Sequence, residues 1–170
     1  AGCLSLTAAA QAAEPLRLDA GRLGTLEVAV PDGEVGGLVF LLSGDDGITL
    51  EIEDAAAWLA RRGIAAAPVD TPAWLERMRE VPGDCLYLVS DLEGTSRRIQ
   101  AQLGARRYLS PVLAGTGSGA AVALQALAQA PAATLDGAAS DGFSTFVASD
   151  RPLCPAERAH PAPGGFTYDP

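Results

Sequence analysis

A glycine-dense turn, Gly115-Thr116-Gly117-Ser118-Gly119-Ala120, separates an apolar strand-like run from an alanine-rich helix-like run. Such a junction restricts the fold sharply, because a strand that turns straight into a helix needs small residues where the two backbones cross. The spacing follows Gly-x-Ser-x-Gly, the strained turn that lifts a nucleophilic serine above the end of a strand. Gly115 and Gly119 hold the flanking positions, so the nucleophile position falls on Gly117. Ser118 comes one residue late, where the turn directs a side chain elsewhere. The chain therefore carries the frame of a hydrolase elbow without its usual hydroxyl.

Strand-like and helix-like runs alternate around this turn. Residues 23–30 alternate apolar and polar side chains and lead to the turn Pro31-Asp32-Gly33, which reads as an edge strand and hairpin. Residues 35–42 are continuously apolar and read as a central strand ending in the acidic glycine loop Ser43-Gly44-Asp45-Asp46-Gly47. A helix comes next over 51–62, closed by Gly63. Residues 64–69 form the next strand, ending at Asp70, and Thr71-Pro72 opens a short helix. Cys85-Leu86-Tyr87-Leu88-Val89 has strand composition, but the need for a crossover favours a helix across most of 85–103. Strands over 108–114 and 134–139 enclose a helix over 118–129 that Pro131 stops. After Asp141 the chain is proline-rich, with no recognisable final strand or helix. Trp58 and Trp74 are expected in the core, Phe166 and Tyr168 are expected to pack back on the sheet, and the arginine pairs at 61–62, 97–98 and 106–107 read as solvated helix ends. The alternation implies an α/β fold, a parallel sheet with helices on both faces in three layers.

Composition excludes some partners. With 170 residues, 12 Lys and Arg against 21 Asp and Glu, and a net charge of -9, the chain is unsuited to nucleic acid, whose phosphates require Lys and Arg. An anionic membrane surface repels it for the same reason, which leaves neutral or cationic ligands and proteins. Residues 1–15 run Ala-Gly-Cys-Leu into Ala-Ala-Ala-Gln-Ala-Ala and resemble a signal-peptide remnant, with a disordered N-terminus as the alternative. Cys3 also fits the end of a lipobox, so a lipid anchor there is a further reading. Residues 16–170 are then the folded domain. Cys85 and Cys154 remain as an even pair, either joined or separately buried, and spacing does not choose between the two.

The candidate site residues are Ser118 as a displaced elbow nucleophile, and Ser43, Gly44, Asp45, Gly115, Gly117 and Gly119 as binding or backbone-donor positions. A triad also needs a histidine and an acid. His160 is the only histidine, and it lies in the proline-rich tail. Asp70 and Asp141 end strands at the edge where open α/β sheets bind ligands, although such residues also cap turns. A dinucleotide module is an alternative, since Gly115-x-Gly117-x-x-Ala120 fits a phosphate-binding turn with Asp136 as the ribose acid. The favoured reading expects no cofactor and no metal.

Leu42-Ser43-Gly44-Asp45-Asp46-Gly47, Asp84 through Glu93, Pro111 through Ala120, Ala128-Gln129-Ala130-Pro131 and Pro152-Leu153-Cys154-Pro155 together resemble the bacterial virulence protein family VirJ/AcvB, nearest its N-terminal VirJ-like domain. The resemblance covers roughly residues 24–170. It implies an α/β-hydrolase fold and export to the periplasm. It also implies a link to virulence and to hydrolysis of aminoacylated phosphatidylglycerol, notably the lysyl form. The family's catalytic domains carry Gly-x-Ser-x-Gly-Ala; Gly115, Gly119 and Ala120 match, and Gly117 replaces the serine. The resemblance thus implies a C-terminally truncated, non-catalytic module with a catalytic VirJ-like domain after it. A lipid headgroup or a type IV secretion component is a further expected partner.

Overall fold

The structure, a computed structural model, describes residues 13–169. Most of residues 1–15, for which a signal-peptide remnant or a disordered N-terminus is expected, lies outside the described residues, Cys3 included. Strands β1 (Leu16–Asp19) and β2 (Thr25–Val28) form an antiparallel hairpin around a short turn at Gly21–Leu23. The expected edge strand is thus present, but its hairpin partner precedes it. Next come β3 (Gly37–Leu42), α1 (Leu50–Ala60), β4 (Ile64–Val69), α2 (Thr71–Met78) and α3 (Val89–Gln102). Strand β5 (Val112–Thr116), helix α4 (Ser118–Gln129) and strand β6 (Gly137–Asp141) complete the alternating part. The parallel sheet has the order β4-β3-β5-β6. An antiparallel bridge between Ala29 and Ala66 attaches the hairpin beside β4.

Burial on both faces explains the unbroken apolar runs, since successive strand residues point to opposite sides. Leu38, Phe40 and Leu42 of β3, with Ala65, Ala67 and Val69 of β4, belong to the main core with Trp74 and Met78 of α2, Leu92 and Ile99 of α3, and Val122 and Ala126 of α4. The intervening residues Leu41 and Ala66 pack with Ile52 and Ala56 of α1 in a smaller core. Three layers result, with α1 on one face and α2, α3 and α4 on the other.

Several local expectations are corrected. Helix α3 begins at Val89, because Leu86 is already paired with Leu153 and the Leu88 amide donates to the Gln129 side chain. These partners are far away in the chain, so helical periodicity does not reveal them. Strand β5 starts at Val112 and β6 at Gly137, where starts at 108 and 134 are expected. The proline-rich tail is not irregular: β7 (Phe146–Ala148), β8 (Ala159–Ala162) and β9 (Gly165–Tyr168) form an antiparallel sheet ordered β7-β9-β8. Tyr168 is buried as expected, while Trp58 is 48% exposed, with the Arg62 guanidinium stacked 3.6 Å from its ring centre. Stacking on a cation lets an aromatic ring remain at the surface. Trp74 is fully buried. Cys85 and Cys154 are joined by a disulfide, with Cα atoms 5.1 Å apart.

Asp91 on α3 ties three segments together. It accepts from Trp74 Nε1 at 3.1 Å and from Arg22 Nε at 2.9 Å, with a second bond from the same guanidinium. The pair raises the Arg22 pKa, chiefly through the side-chain hydrogen bond. Asp91→Ala is expected to lower the unfolding free energy by about 2 kcal/mol, because it leaves the indole N–H and a guanidinium without their acceptor. Urea denaturation measures the loss.

Candidate functional site

The Gly115–Ala120 turn sits where β5 meets α4, at the C-terminal edge of the parallel sheet. Gly117 is the residue before the helix and has φ 54° and ψ -123°. That left-handed, strained conformation suits glycine. A Cβ placed on Gly117 meets nothing closer than the Gly44 Cα at 3.7 Å, so the nucleophile position is conformationally set and sterically open. The flanking glycines are the reverse case. A Cβ on Gly115 falls 2.2 Å from the Gly119 carbonyl oxygen, and one on Gly119 falls 2.3 Å from the Ser43 carbonyl oxygen. These two positions are glycine because the helix start rests directly on the ends of β5 and β3.

The loop after β3 is built into the same corner. Ser43 is fully buried, and its hydroxyl accepts from the Thr71 amide at 3.0 Å, fastening the loop to the start of α2. Asp70 caps α2 by accepting from the Ala73 amide at 3.0 Å. Its side chain also lies beside Gly47, so the capping role is the one realised. Gly44 lies against the elbow, where a Cβ would approach the Thr116 carbonyl oxygen to 3.3 Å. Asp141 sits opposite Thr116 in the register, exposed, and its carbonyl accepts from the Gly117 amide at 3.2 Å.

Ser118 is 5% exposed, and its hydroxyl donates to Asp45 Oδ1 at 2.6 Å. Both residues line a cleft of about 590 Å³. Thr71, Leu75 and Arg79 of the α2 segment form one side, and Val147, Asp150 and Phe166 of the β7–β9 region form the other. Thr71 is 1% exposed, and its hydroxyl has no hydrogen-bond partner among the described residues. Three carboxylates border the cleft, those of Asp45, Glu76 and Asp150, against the single guanidinium of Arg79. Helix α4 has no side-chain cap, so its first N–H groups face this corner with Asp45 nearby.

The structure brings together Ser43, Gly44, Asp45, Gly115, Gly117, Ser118 and Gly119. It does not bring His160 to them: that ring stands exposed on β8, 3.4 Å from Asp169, and does not line the cleft. Asp136 is also separated from the turn. It precedes β6, so it lies at the opposite edge of the sheet from Gly117, in a depression with Arg107 and Tyr108. The dinucleotide constellation is therefore not assembled. Sequence reading missed Thr71, Leu75, Asp150 and Phe166 as cleft residues, because they come from segments that meet only through the tertiary fold.

The parallel order, the hairpin at its edge and the elbow at the end of β5 define an α/β-hydrolase fold. A solved structure of a dienelactone hydrolase from Anabaena variabilis is similar, with a TM-score of 0.52 and 19% identity over 76% of this chain. The similarity covers 62% of that structure, less than two thirds of its length. No protein-family model and no curated protein sequence matches the chain.

Gly119→Ala is expected to be among the most damaging single changes, because its Cβ meets two backbone carbonyls that cannot yield independently. A loss of about 3 kcal/mol is the order expected for such overpacking. Thermal unfolding of Gly119→Ala beside Gly117→Ala separates the steric requirement at 119 from the conformational one at 117.

Proposed function

We propose that this chain is a non-hydrolytic α/β-hydrolase-like module of the VirJ/AcvB type, acting in the periplasm in support of a catalytic domain that lies after it. The observation that carries this reading is Gly117. It occupies the nucleophile position with the elbow conformation intact and without a side chain to attack. Ser118, the adjacent hydroxyl, is engaged by Asp45, and His160 is engaged by Asp169 outside the cleft. The supported activity is hydrolysis of aminoacylated phosphatidylglycerol, above all the lysyl form, in keeping with the sequence blocks that resemble this family. Asp45 in the cleft and the net charge of -9 favour a cationic headgroup, and the disulfide favours an oxidising compartment. A type IV secretion component is the other partner the resemblance suggests, with virulence as the setting.

One observation favours a second reading, an active serine hydrolase acting on lipid esters. Ser118 reaches the cleft and already donates its proton to a carboxylate. Vesicles of lysyl-phosphatidylglycerol in a neutral lipid, with vesicles of the neutral lipid alone as control, decide between the two. The proposed module is expected to sediment with the lysyl lipid, to release no lysine, and to remain unlabelled by a fluorophosphonate probe. Lysine release or labelling that Ser118→Ala abolishes would establish the second reading instead.

A further inference from the structure

The two walls of the cleft belong to different parts of the fold. One wall is α2, seated on the parallel sheet, and the other is the small β7–β9 sheet. Between β7 and β8, residues 151–154 fasten the second wall to the chain around residues 78–86 in three ways. Arg151 donates to the carbonyls of Met78, Arg79, Val81 and Gly83, which lie at and beyond the end of α2. Leu86 and Leu153 form a bridge, with the Leu86 amide 2.8 Å from the Pro152 carbonyl and the Cys154 amide 3.0 Å from the Leu86 carbonyl. The Cys85–Cys154 disulfide lies next to that bridge. The Leu153 amide then donates to the buried Tyr168 hydroxyl at 2.7 Å, which carries the attachment onto β9.

Val147 of β7 and Tyr168 of β9, with Leu153 between β7 and β8, anchor this region in the main core, with Ala159 and Phe166 packed partly buried beside them, while the middle of β8 is exposed. By contrast, β3 and β4 are buried along nearly their whole length. A region with few buried contacts opens first, and a covalent tie across it sets how often it opens.

We infer that the Cys85–Cys154 disulfide is a redox clamp on the cleft: oxidation fixes the β7–β9 wall against α2, and reduction releases that wall while the parallel sheet stays folded. In closing, the two thiols lose two protons and two electrons to a disulfide oxidant, which is reduced to two thiols. A complete cleft is thereby tied to an oxidising environment. The inference concerns the same cleft as the proposed function but stands on its walls and not on what it binds, so its test is independent of any ligand or activity.

Amide hydrogen exchange on the full chain, oxidised and after reduction, tests the clamp, with Cys85→Ser/Cys154→Ser as a second route to the open form. The expected result is exchange faster by about 100-fold or more in β7, β8 and β9 in both open forms, with β3, β5 and α4 unchanged. Unchanged exchange in the small sheet would overturn the inference. So would an equal acceleration everywhere, because the disulfide would then support the whole fold and not one wall. If the double variant does not fold, the reduced wild-type chain shows that uniform acceleration and the clamp fails.

Discussion

The start of α4 lies directly on the ends of β3 and β5, and the site depends on that contact. Gly119 meets the carbonyls of Leu42 and Ser43, and Gly115 meets the carbonyl of Gly119, at separations that leave no space for a Cβ. Helix and strands are thereby locked in one relative position. Gly117 is held in its left-handed conformation between them, and the Ser43–Asp45 loop is brought against the elbow. A hydroxyl on residue 118 then reaches Asp45, while residue 117 faces the open corner. The same packing that makes an active elbow possible is kept here around a glycine.

That arrangement has a clear electrostatic character. An uncapped helix start favours negative charge, and Asp45 supplies it from within the protein. Glu76 and Asp150 also stand at the rim, but each is paired with an arginine, Arg79 and Arg151, so Asp45 is the cleft carboxylate without a cationic partner among the described residues. The unpartnered Thr71 hydroxyl adds one further polar group on the α2 side.

Much of this fold is legible in the sequence, and the reason is local. The continuous apolar runs at β3 and β4 are buried on both faces, so composition alone marks them as strands of a parallel sheet. Helix α4 is delimited by Gly117 and Pro131, and its observed bounds, Ser118–Gln129, match the expected ones. The acidic loop and the elbow meet because both end adjacent parallel strands. The hidden features depend on distant partners. Residues 85–88 have strand composition because Leu86 pairs with Leu153, and the three strands of the proline-rich tail form by pairing with one another. Trp58 misleads because aromatic residues at helical spacing usually face a core, whereas here Arg62 covers the ring. The Cys85–Cys154 bond is one of two readings that spacing leaves open, and only the approach of the two segments decides it.

The elbow of this chain holds glycine at the nucleophile position, and the proposed function rests on that residue. Active-site titration with a p-nitrophenyl ester tests that claim most directly, because an acyl-enzyme releases one equivalent of p-nitrophenolate per chain before steady turnover. The account predicts no burst from this protein at any ester concentration. A stoichiometric burst that disappears in Ser118→Ala would contradict it, and would place a working nucleophile one residue beyond Gly117.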